Sequence, residues 1–329
     1  DHPEGSEGRT VPPQGLGGAL QAPQDTSVAD SGSTVDVMVV YSNQTAAAAG
    51  GSIVAQIQQA VDRANLAYAN SNIAPRLRLV HYAQVAYNES GNFNTDLDRI
   101  TSTNDGHMDE VHTWRDTYAA DLVALFIENG AYCGLGWLNS SAGYGFTAVN
   151  RGCASGNLSF AHELGHNFGA HHDPYVANNT YYAHGHGYTY TPAKWRTVMA
   201  YNDACSGVGG CTRITYFSNP DVTYGNPPVA AGTTTTHDNA RVHDDRANAV
   251  ANFRTAIAAW APSVATIAGS GVTGSGATLN GLVSSNGAST TVTFQYGPTT
   301  SYGTTATAAQ SPLVAGSAGA AVSVAVGGL

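Results

Sequence analysis

The chain has 329 residues, a formal net charge of -10 and only 13 basic residues. A chain of this length can hold one sizeable catalytic domain and a smaller one. So few basic residues argue against nucleic acid or an anionic membrane as a general partner. The longest apolar segments, such as residues 121–127, are much shorter than the roughly 18–20 residues that cross a bilayer. We therefore expect no membrane span.

The first half of the chain alternates between strand and helix patterns. Residues 1–33 predict an extended lead-in or the remnant of a pro-segment. Residues 35–41, 77–87, 122–127 and 144–149 predict strands, whereas a helix capped by Ser52 is predicted to about residue 70 and another is predicted to open at Asp105. This alternation indicates an α/β (α+β) fold with a twisted, mostly parallel sheet covered by helices.

The second half of the chain changes character twice. Residues 173–236 are loop-rich, and Asp238 then caps a predicted helix that runs to about Ala259, with Ile257 and Trp260 on its apolar stripe. From residue 261 onward there is no charged residue, and short alternating stretches predict an antiparallel sandwich. We expect a lead-in at 1–33, a catalytic domain at 34–260 and a partial β module at 261–329.

Residues 162–173, HELGHNFGAHHD, have the spacing of a metal site. Four residues advance a helix by slightly more than one turn, so His162 and His166 project from one face and can bind one Zn²⁺ ion. Glu163 lies one position round the helix, where it can take a proton from water without being a ligand. Gly169 can end the helix in the left-handed conformation. The resulting turn brings back His172 as the third ligand and leaves the fourth position for water.

The extended pattern H-E-x-x-H-x-x-G-x-x-H is far more specific than H-E-x-x-H alone. At the residue frequencies of this chain, a chance match is on the order of 10⁻⁵ to 10⁻⁴. A helix with solvated histidines is the alternative interpretation, and it leaves the glycine at this offset unexplained. His171, the neighbour of His172, is the lesser candidate for the third ligand.

The motif resembles that of the metzincin zinc peptidases, which carry a methionine turn beneath the metal. Met199 in TVMAY (197–201) lies at the corresponding downstream place, and the resemblance implies that it forms a hydrophobic floor and does not bind zinc. Tyr201 has the Met-x-Tyr spacing of astacin-like and serralysin-like members. Its hydroxyl is thereby implied to approach the zinc or the developing oxyanion, with an ordinary buried tyrosine as the alternative.

The chain is more similar still to the bacterial peptidyl-Asp metalloendopeptidases. The matching segments are VDVMVVY (35–41), ANLAYANSNI (64–73), MDEVHTWRDTYAADLVALFIEN (108–129), YCGLGWL (132–138), SFAHELGHNFGAHHDPY (159–175), HGYTY (186–190), WRTVMAY (195–201) and YFSNPDVTYG (216–225). This resemblance implies a metzincin fold, one catalytic zinc and cleavage on the amino side of aspartate. Residues 264–329 resemble the first part of a bacterial fibronectin type III-like module.

An aspartate that follows the cut requires a nearby cation in this acidic chain. In the metzincin fold the wall of that pocket follows the methionine turn, so Arg213 is the first candidate, followed by Arg196, Lys194 and Arg151. An arginine can hold a carboxylate through a bidentate pair.

The predicted strand near residues 144–149 offers an edge with which an extended protein or peptide substrate can pair. Tyr144 and Phe146 are therefore candidate substrate-binding residues. In the reaction we expect, Glu163 accepts the water proton and passes it to the leaving amine.

The chain contains four cysteines, namely Cys133, Cys153, Cys205 and Cys211. An even number outside any C-x-x-C motif favours two disulfides over a zinc cluster, and three pairings exist. Short loops are the easiest to close, which favours Cys133–Cys153 and Cys205–Cys211, with reduced structural thiols as the alternative. Together with a composition common in exported bacterial proteins, this predicts a secreted protein, which we expect to be monomeric.

Several alternatives stay open at this stage. A binding or adhesion protein with a structural metal is one, and a zinc hydrolase that cuts a non-peptide amide is another. His184 and His186 have a spacing that suggests a second metal, although an aromatic, Gly-rich loop explains them equally. No recognisable calcium loop surrounds the acidic residues, so calcium is an unsupported alternative. Inhibition by a lead-in carboxylate such as Asp25 or Asp30 is a further hypothesis.

Overall fold

The computed structural model describes residues 9–11, 30–177, 181–255, 262–285, 290–299, 302–313 and 319–328. The chain divides into a larger unit, residues 1–77 and 81–256, and a smaller unit, residues 257–329 grouped with residues 78–80. Within the described ranges, no helix is both long and apolar enough to cross a bilayer.

A six-stranded sheet forms the centre of the larger unit. Its strands are β1 (Arg9–Thr10), β2 (Thr34–Tyr41), β3 (Arg76–Gln84), β4 (Leu122–Ile127), β5 (Gly134–Leu138) and β6 (Phe146–Asn150). Their order across the sheet is β1-β5-β6-β4-β2-β3. β2, β4 and β6 pair in parallel, whereas β5 is antiparallel to β6. Every residue of β4 is buried, as expected for a parallel strand covered on both faces.

The helices pack on this sheet. They are α1 (Asn43–Ala49), α2 (Ile53–Asn70), α3 (Phe93–Thr101), α4 (Glu110–Thr117), α5 (Arg151–Ala154), α6 (Ser159–Phe168) and α7 (Asn239–Val250). α2 packs against α6, and the ring of Tyr68 meets that of Phe168 edge to face with centroids 6.4 Å apart. α6 is buried along its whole length. Side chains on this helix are therefore enclosed by protein.

The loop-rich segment between α6 and α7 contains short strands. They are β7 (Thr189–Tyr190), β8 (Trp195–Arg196), β9 (Thr212–Arg213), β10 (Thr223–Tyr224) and β11 (Val229–Ala230). β7, β8 and β9 form one sheet, and β10 pairs with β11. Trp195 and Ile214 lie in a small apolar core here, surrounded by tyrosines. Aromatic packing holds the segment together, and its only helices among the described residues are two short 3-10 helices, Thr191–Ala193 and Asp203–Val208.

The predicted substrate edge near residues 144–149 is wrong. β6, which holds most of this stretch, lies between β4 and β5 and is hydrogen-bonded on both sides. The outermost strand is β1, but its two residues pair only with Trp137 and Leu138 of β5. Residues 134–136 of β5 have no strand partner on that outer side among the described residues, so we call β5 the edge strand. Two of the five residues of β5 are glycines, which are disfavoured in strands, so the local signal for this strand is weak.

The helix boundaries also differ from the predictions. The helix predicted to open at Asp105 begins at Glu110, because the chain turns through Met108 with φ of 57°. α3 was not predicted. Ser52 precedes α2 as expected, but its hydroxyl donates to the carbonyl of Ala49 and does not cap the helix.

α7 is capped by Asp238 as predicted, with the carboxylate accepting the amide of Arg241 at 3.1 Å. The helix ends at Val250, well before Ala259. Beyond it, the amide of Arg254 donates to the buried carboxylate of Asp121 at 3.1 Å. Ile257 and Trp260 lie outside the described residues.

Both disulfides join the cysteines that are closest along the chain. Cys133 pairs with Cys153, which links the start of β5 to α5, and Cys205 pairs with Cys211. The pairing is the one that the short-loop argument favours. Most of the lead-in, including Asp25, lies outside the described residues, whereas the backbone of Asp30 is held by the side chain of Asn252.

The smaller unit is built from antiparallel strands. They are β12 (Ser263–Ser270), β13 (Gly276–Ser284), β14 (Thr293–Tyr296), β15 (Thr304–Thr307) and β16 (Ala320–Gly327). β12, β13 and β16 form one sheet, and β14 and β15 form another. Its core joins Val283 and Val322 of the first sheet to Val292, Ala308 and Leu313.

Candidate metal centre

Three histidines converge where α6 ends. His162 and His166 lie one turn apart on this helix, and Gly169 ends it in the left-handed conformation with φ of 105°. The amides of Gly169 and Ala170 close the last turn onto the carbonyl of Gly165. The chain then reverses, and His172 comes to face the two helical histidines. The turn predicted from Gly169 is confirmed.

The Nε2 atoms of the three imidazoles face one another. The Nε2 of His172 lies 3.1 Å from that of His162 and 2.9 Å from that of His166. The Nδ1 atoms of the helical pair bond outward, His162 to the carbonyl of Val198 and His166 to that of Ala170, each at 2.9 Å. These bonds place the protons on Nδ1 and leave the Nε2 lone pairs pointing inward.

The electrostatics of the cluster favour a cation. Burial lowers the pKa of all three histidines, that of His166 to about 3, so the rings are neutral at neutral pH. Three lone pairs held this close repel one another unless a cation lies between them. Nitrogens on one tetrahedral zinc, at about 2.0–2.1 Å, are about 3.3–3.4 Å apart, close to the spacing found here. The cluster fits a zinc ion, and no other such metal-binding group occurs among the described residues.

Glu163 lies against the edge strand β5. The side chain is buried, and a Cβ added at Gly134 would overlap its carboxylate, while one added at Gly136 would lie 2.9 Å from its backbone carbonyl. Only glycine at these two positions lets β5 approach α6 this closely. The two glycines of YCGLGWL therefore shape the site, a role that the sequence analysis missed.

The predicted methionine turn lies beside the metal cluster. Met199 is fully buried, and its sulfur is 2.7 Å from a Cβ added at Gly165, a glycine between the two helical histidines. The ring of Tyr201 lies 4.1 Å from that of His172, centroid to centroid. The backbone amide of Tyr201 donates to the carboxylate of Asp173 at 2.7 Å, which fixes the turn to the end of the motif.

Two arginines lie next to this turn. Arg196 on β8 is the direct register partner of Arg213 on the parallel strand β9, so both side chains project from one face. Both guanidinium groups donate to the carbonyl of Ala200. Both positive charges also contribute to the lowered pKa of His162. A cationic pair is thus located close to the metal cluster.

The other predicted candidates have different surroundings. Phe146 is a wrong candidate for substrate binding, because its ring is buried on an internal strand with the Arg115 guanidinium 4.7 Å from its centroid. Tyr144 packs on Trp137 of the edge strand, with centroids 5.0 Å apart. Arg151 is bound in a structural ion pair with Glu128.

Two neighbouring histidines, His171 and His186, support the cluster without joining it. The Nδ1 of His171 accepts the amide of His172 at 2.8 Å, and His171 is not a member of the metal group. The Nδ1 of His186 donates to the carbonyl of His172 at 2.7 Å. His184 lies 4.0 Å from Asp245. His186 thus helps to position His172. The spacing of His184 and His186 in the sequence did not predict this role.

Two further residues were missed by the sequence analysis. One is Asp173, whose carboxylate accepts the amide of Tyr201. It is the last residue of the motif segment, but the sequence analysis gave it no role. Asn167 donates from its amide to the carbonyls of Trp137 and Phe146 at 2.8 and 3.3 Å, which ties α6 to β5 and β6. The only feature of the sequence that pointed to Asn167 was its position between His166 and the end of the helix.

Comparisons with known proteins agree with this site. A model of metallo-peptidase family M12 (Reprolysin_5) matches residues 31–218. A protein of Stenotrophomonas maltophilia (strain K279a) named peptidyl-Asp metalloendopeptidase is 45% identical over 226 residues, 67% of this chain and 53% of that protein. A Pseudomonas fragi protein of the same name is 36% identical over 192 residues, 58% of this chain and 99% of that protein.

The chain spans about half the length of the Stenotrophomonas relative. Among solved structures, one described as a chaperone-substrate complex has a TM-score of 0.55 and 23% identity, and covers 67% of this chain and 35% of that one. This likeness concerns the fold alone. Because the family model matches more than half of the chain, and a 36% identical relative is covered almost completely, this chain belongs to metallo-peptidase family M12.

Proposed function

We propose that this chain is a secreted, monomeric zinc endopeptidase that cuts peptide bonds on the amino side of aspartate. The observation that carries the proposal is the convergence of three buried Nε2 atoms beside a buried carboxylate, next to a sheet edge. Membership of family M12 and the printed name of the relatives support it. The two disulfides are consistent with an oxidising compartment.

The metal is assigned to His162, His166 and His172. A bound zinc ion supplies Lewis acidity and lowers the pKa of water towards about 7. Glu163 takes the proton of the attacking water and delivers it to the leaving amine. Tyr201, which packs against His172, donates to the oxyanion as it develops.

An extended substrate is assigned to the outer side of β5 at residues 134–136, which β1 does not pair with, so backbone groups there can pair with an added strand. The cationic pair Arg196 and Arg213 is assigned to the substrate aspartate. Both guanidinium groups donate to the carbonyl of Ala200 in the methionine turn. A substrate carboxylate bound beside them can therefore accept hydrogen bonds from two guanidinium groups at once. This is a stronger anchor than a single arginine.

Mass spectrometry of a digest tests activity and cleavage preference together. The zinc-loaded chain is incubated with a denatured protein, with and without a chelator, and the new termini are sequenced. We expect cuts that precede aspartate, abolished by the chelator and restored by zinc. A correctly folded, zinc-loaded chain that leaves the protein intact would refute the enzymatic proposal.

Arginine variants test the assignment of the specificity pocket. We expect Arg213→Ala and Arg196→Ala to lower kcat/KM for an Asp peptide by about 10-fold or more, because each removes a charge-assisted hydrogen bond, and to change cleavage of the matched Ala peptide little. Arg241→Ala is the control, since this exposed arginine lies on α7 beside Asp245. Equal losses for the Asp, Asn and Ala peptides would contradict a role in recognising the carboxylate.

A further inference from the structure

A second cationic feature lies at the far end of the edge strand. Arg9 of β1 is the register partner of Trp137 on β5, so both side chains project to the same face. The Arg9 guanidinium carbon lies 4.6 Å from the centroid of the Trp137 indole. Its Nη1 forms an ion pair with Asp98 and donates to the carbonyl of Asn94 at 3.3 Å. An arginine is thus held by an aromatic face, a carboxylate and a carbonyl.

These groups line an open cavity of about 540 Å³, which we call the Trp137 pocket. Asp98, Asp105, Trp137 and Tyr144 are its principal walls, and Arg9 is the only basic residue among the described residues that line it. The Trp137 indole is fixed, because its Nε1 donates to Thr101 Oγ1 at 2.8 Å. Carboxylates combined with a rigid aromatic face are the surroundings that favour a guanidinium or ammonium group.

The pocket is close to the catalytic centre along the same strand. Gly134 and Gly136 of β5 flank Glu163, and Trp137 is the next residue. Strand residues are about 3.3 Å apart, so a substrate side chain opposite Trp137 lies two or three residues from the bond to be cut. β1 pairs with β5 at Trp137 and Leu138, so an extended substrate that continues beyond Gly136 takes the place of β1 and passes both sites.

The order of the two sites follows from contacts at the other end of β5. Arg213 donates to the carbonyl of Asn157 at 2.9 Å, and the amide of Asn157 contacts the sulfur of Cys133 at 3.4 Å. Cys133 immediately precedes β5, whereas Trp137 lies near its end. If Arg213 holds the aspartate after the cut, which rests on the proposed function, the Trp137 pocket faces the residues before the cut.

We propose that the Trp137 pocket is a substrate subsite for a basic side chain, the second or third residue before the scissile bond. Arg9 occupies the pocket as an internal substitute for that residue. β1 runs parallel to β5, whereas a substrate that enters at Trp137 and leaves towards Cys133 runs antiparallel to it. The Arg9 side chain therefore occupies the subsite, but the strand that carries it, β1, runs in the direction opposite to that of the substrate.

A peptide panel tests this subsite. Each peptide carries one aspartate, and an arginine is moved through the four positions before it, with Gln and Ala peptides as neutral controls. The zinc-loaded Arg9→Ala chain is used so that the Arg9 guanidinium no longer occupies the pocket. We expect arginine at the second or third position to raise kcat/KM by about 5-fold, as exposed cation–π and ion-pair contacts allow. With Arg9 present, we expect a smaller advantage.

Charge variants identify the pocket itself. Asp98 is half exposed, so Asp98→Asn keeps the fold, which circular dichroism checks, and we expect it to remove most of the arginine preference. Asp98→Lys is expected to reverse the preference towards a glutamate peptide. Asp116→Asn is the matched control, because this exposed aspartate pairs with Arg254 elsewhere.

The outcomes separate this inference from the proposed function. Equal kcat/KM for the Arg, Gln and Ala peptides in the active Arg9→Ala chain would overturn the subsite, even if cleavage still precedes aspartate. If no peptide is cut, calorimetric binding of the arginine peptide gives the answer. Tighter binding than that of the Ala peptide, lost in Asp98→Asn, supports the subsite, and equal binding of both peptides refutes it.

Discussion

Gly134→Ala tests the position of the Glu163 carboxylate without changing any group that takes part in the chemistry. A Cβ at position 134 would lie 2.7 Å from Cδ of Glu163, whereas non-bonded carbon atoms prefer about 3.5–4.0 Å. The carboxylate must therefore move by about 1 Å. A glutamate side chain can rotate away at small cost in stability, but a displacement of about 1 Å can reduce a rate by about 10²-fold.

We expect kcat of Gly134→Ala to fall by about 10²-fold with the zinc content unchanged, because the three atoms nearest to the added methyl group all belong to Glu163. The assay is hydrolysis of a fluorogenic Asp peptide, with zinc measured by mass spectrometry. Gly130→Ala is the matched control, since a methyl group there has no atom within 4 Å. Native kcat in a folded, zinc-loaded Gly134→Ala chain would refute the inference that the close approach of β5 sets the position of the Glu163 carboxylate.

Three further predictions concern the base, a metal ligand and a buried acid. Glu163→Gln is expected to keep zinc and lose at least about 10²-fold in kcat; normal turnover would exclude Glu163 as the base. His166→Ala is expected to lose zinc, and a stoichiometric content would contradict the ligand assignment. Burial raises the pKa of Asp121 to about 8, so the native carboxyl keeps a proton that the unfolded chain, with a pKa near 3.9, releases. The free energy of unfolding should therefore decrease as pH rises from about 4 to 8. In denaturant titrations of Asp121→Asn, the free energy of unfolding should depend less on pH than it does in the unaltered chain. An equal dependence on pH in both chains would mean that native Asp121 is ionised.

The metal centre could be predicted almost completely from the sequence, because its geometry is local. His162 and His166 are one helical turn apart, and a glycine at position 169 permits only a few ways for the chain to continue. The strands 35–41 and 122–127 could also be predicted from the sequence, since 122–127 is a continuous apolar run and 35–41 is interrupted only by Asp36. The edge strand was not, because Gly134 and Gly136 serve the approach to Glu163 and remove the pattern that indicates a strand.

The sequence by itself determined the metal-binding residues, the buried parallel strands and the change of composition near residue 261. Each of these depends on residues within a few positions of one another. Only the tertiary structure decided that Arg196 and Arg213 are neighbours, that β5 is the edge, and that Arg9 lies on Trp137. These contacts join distant segments, and their pairing depends on which strands meet in the sheet, a choice made by the packing of the whole domain.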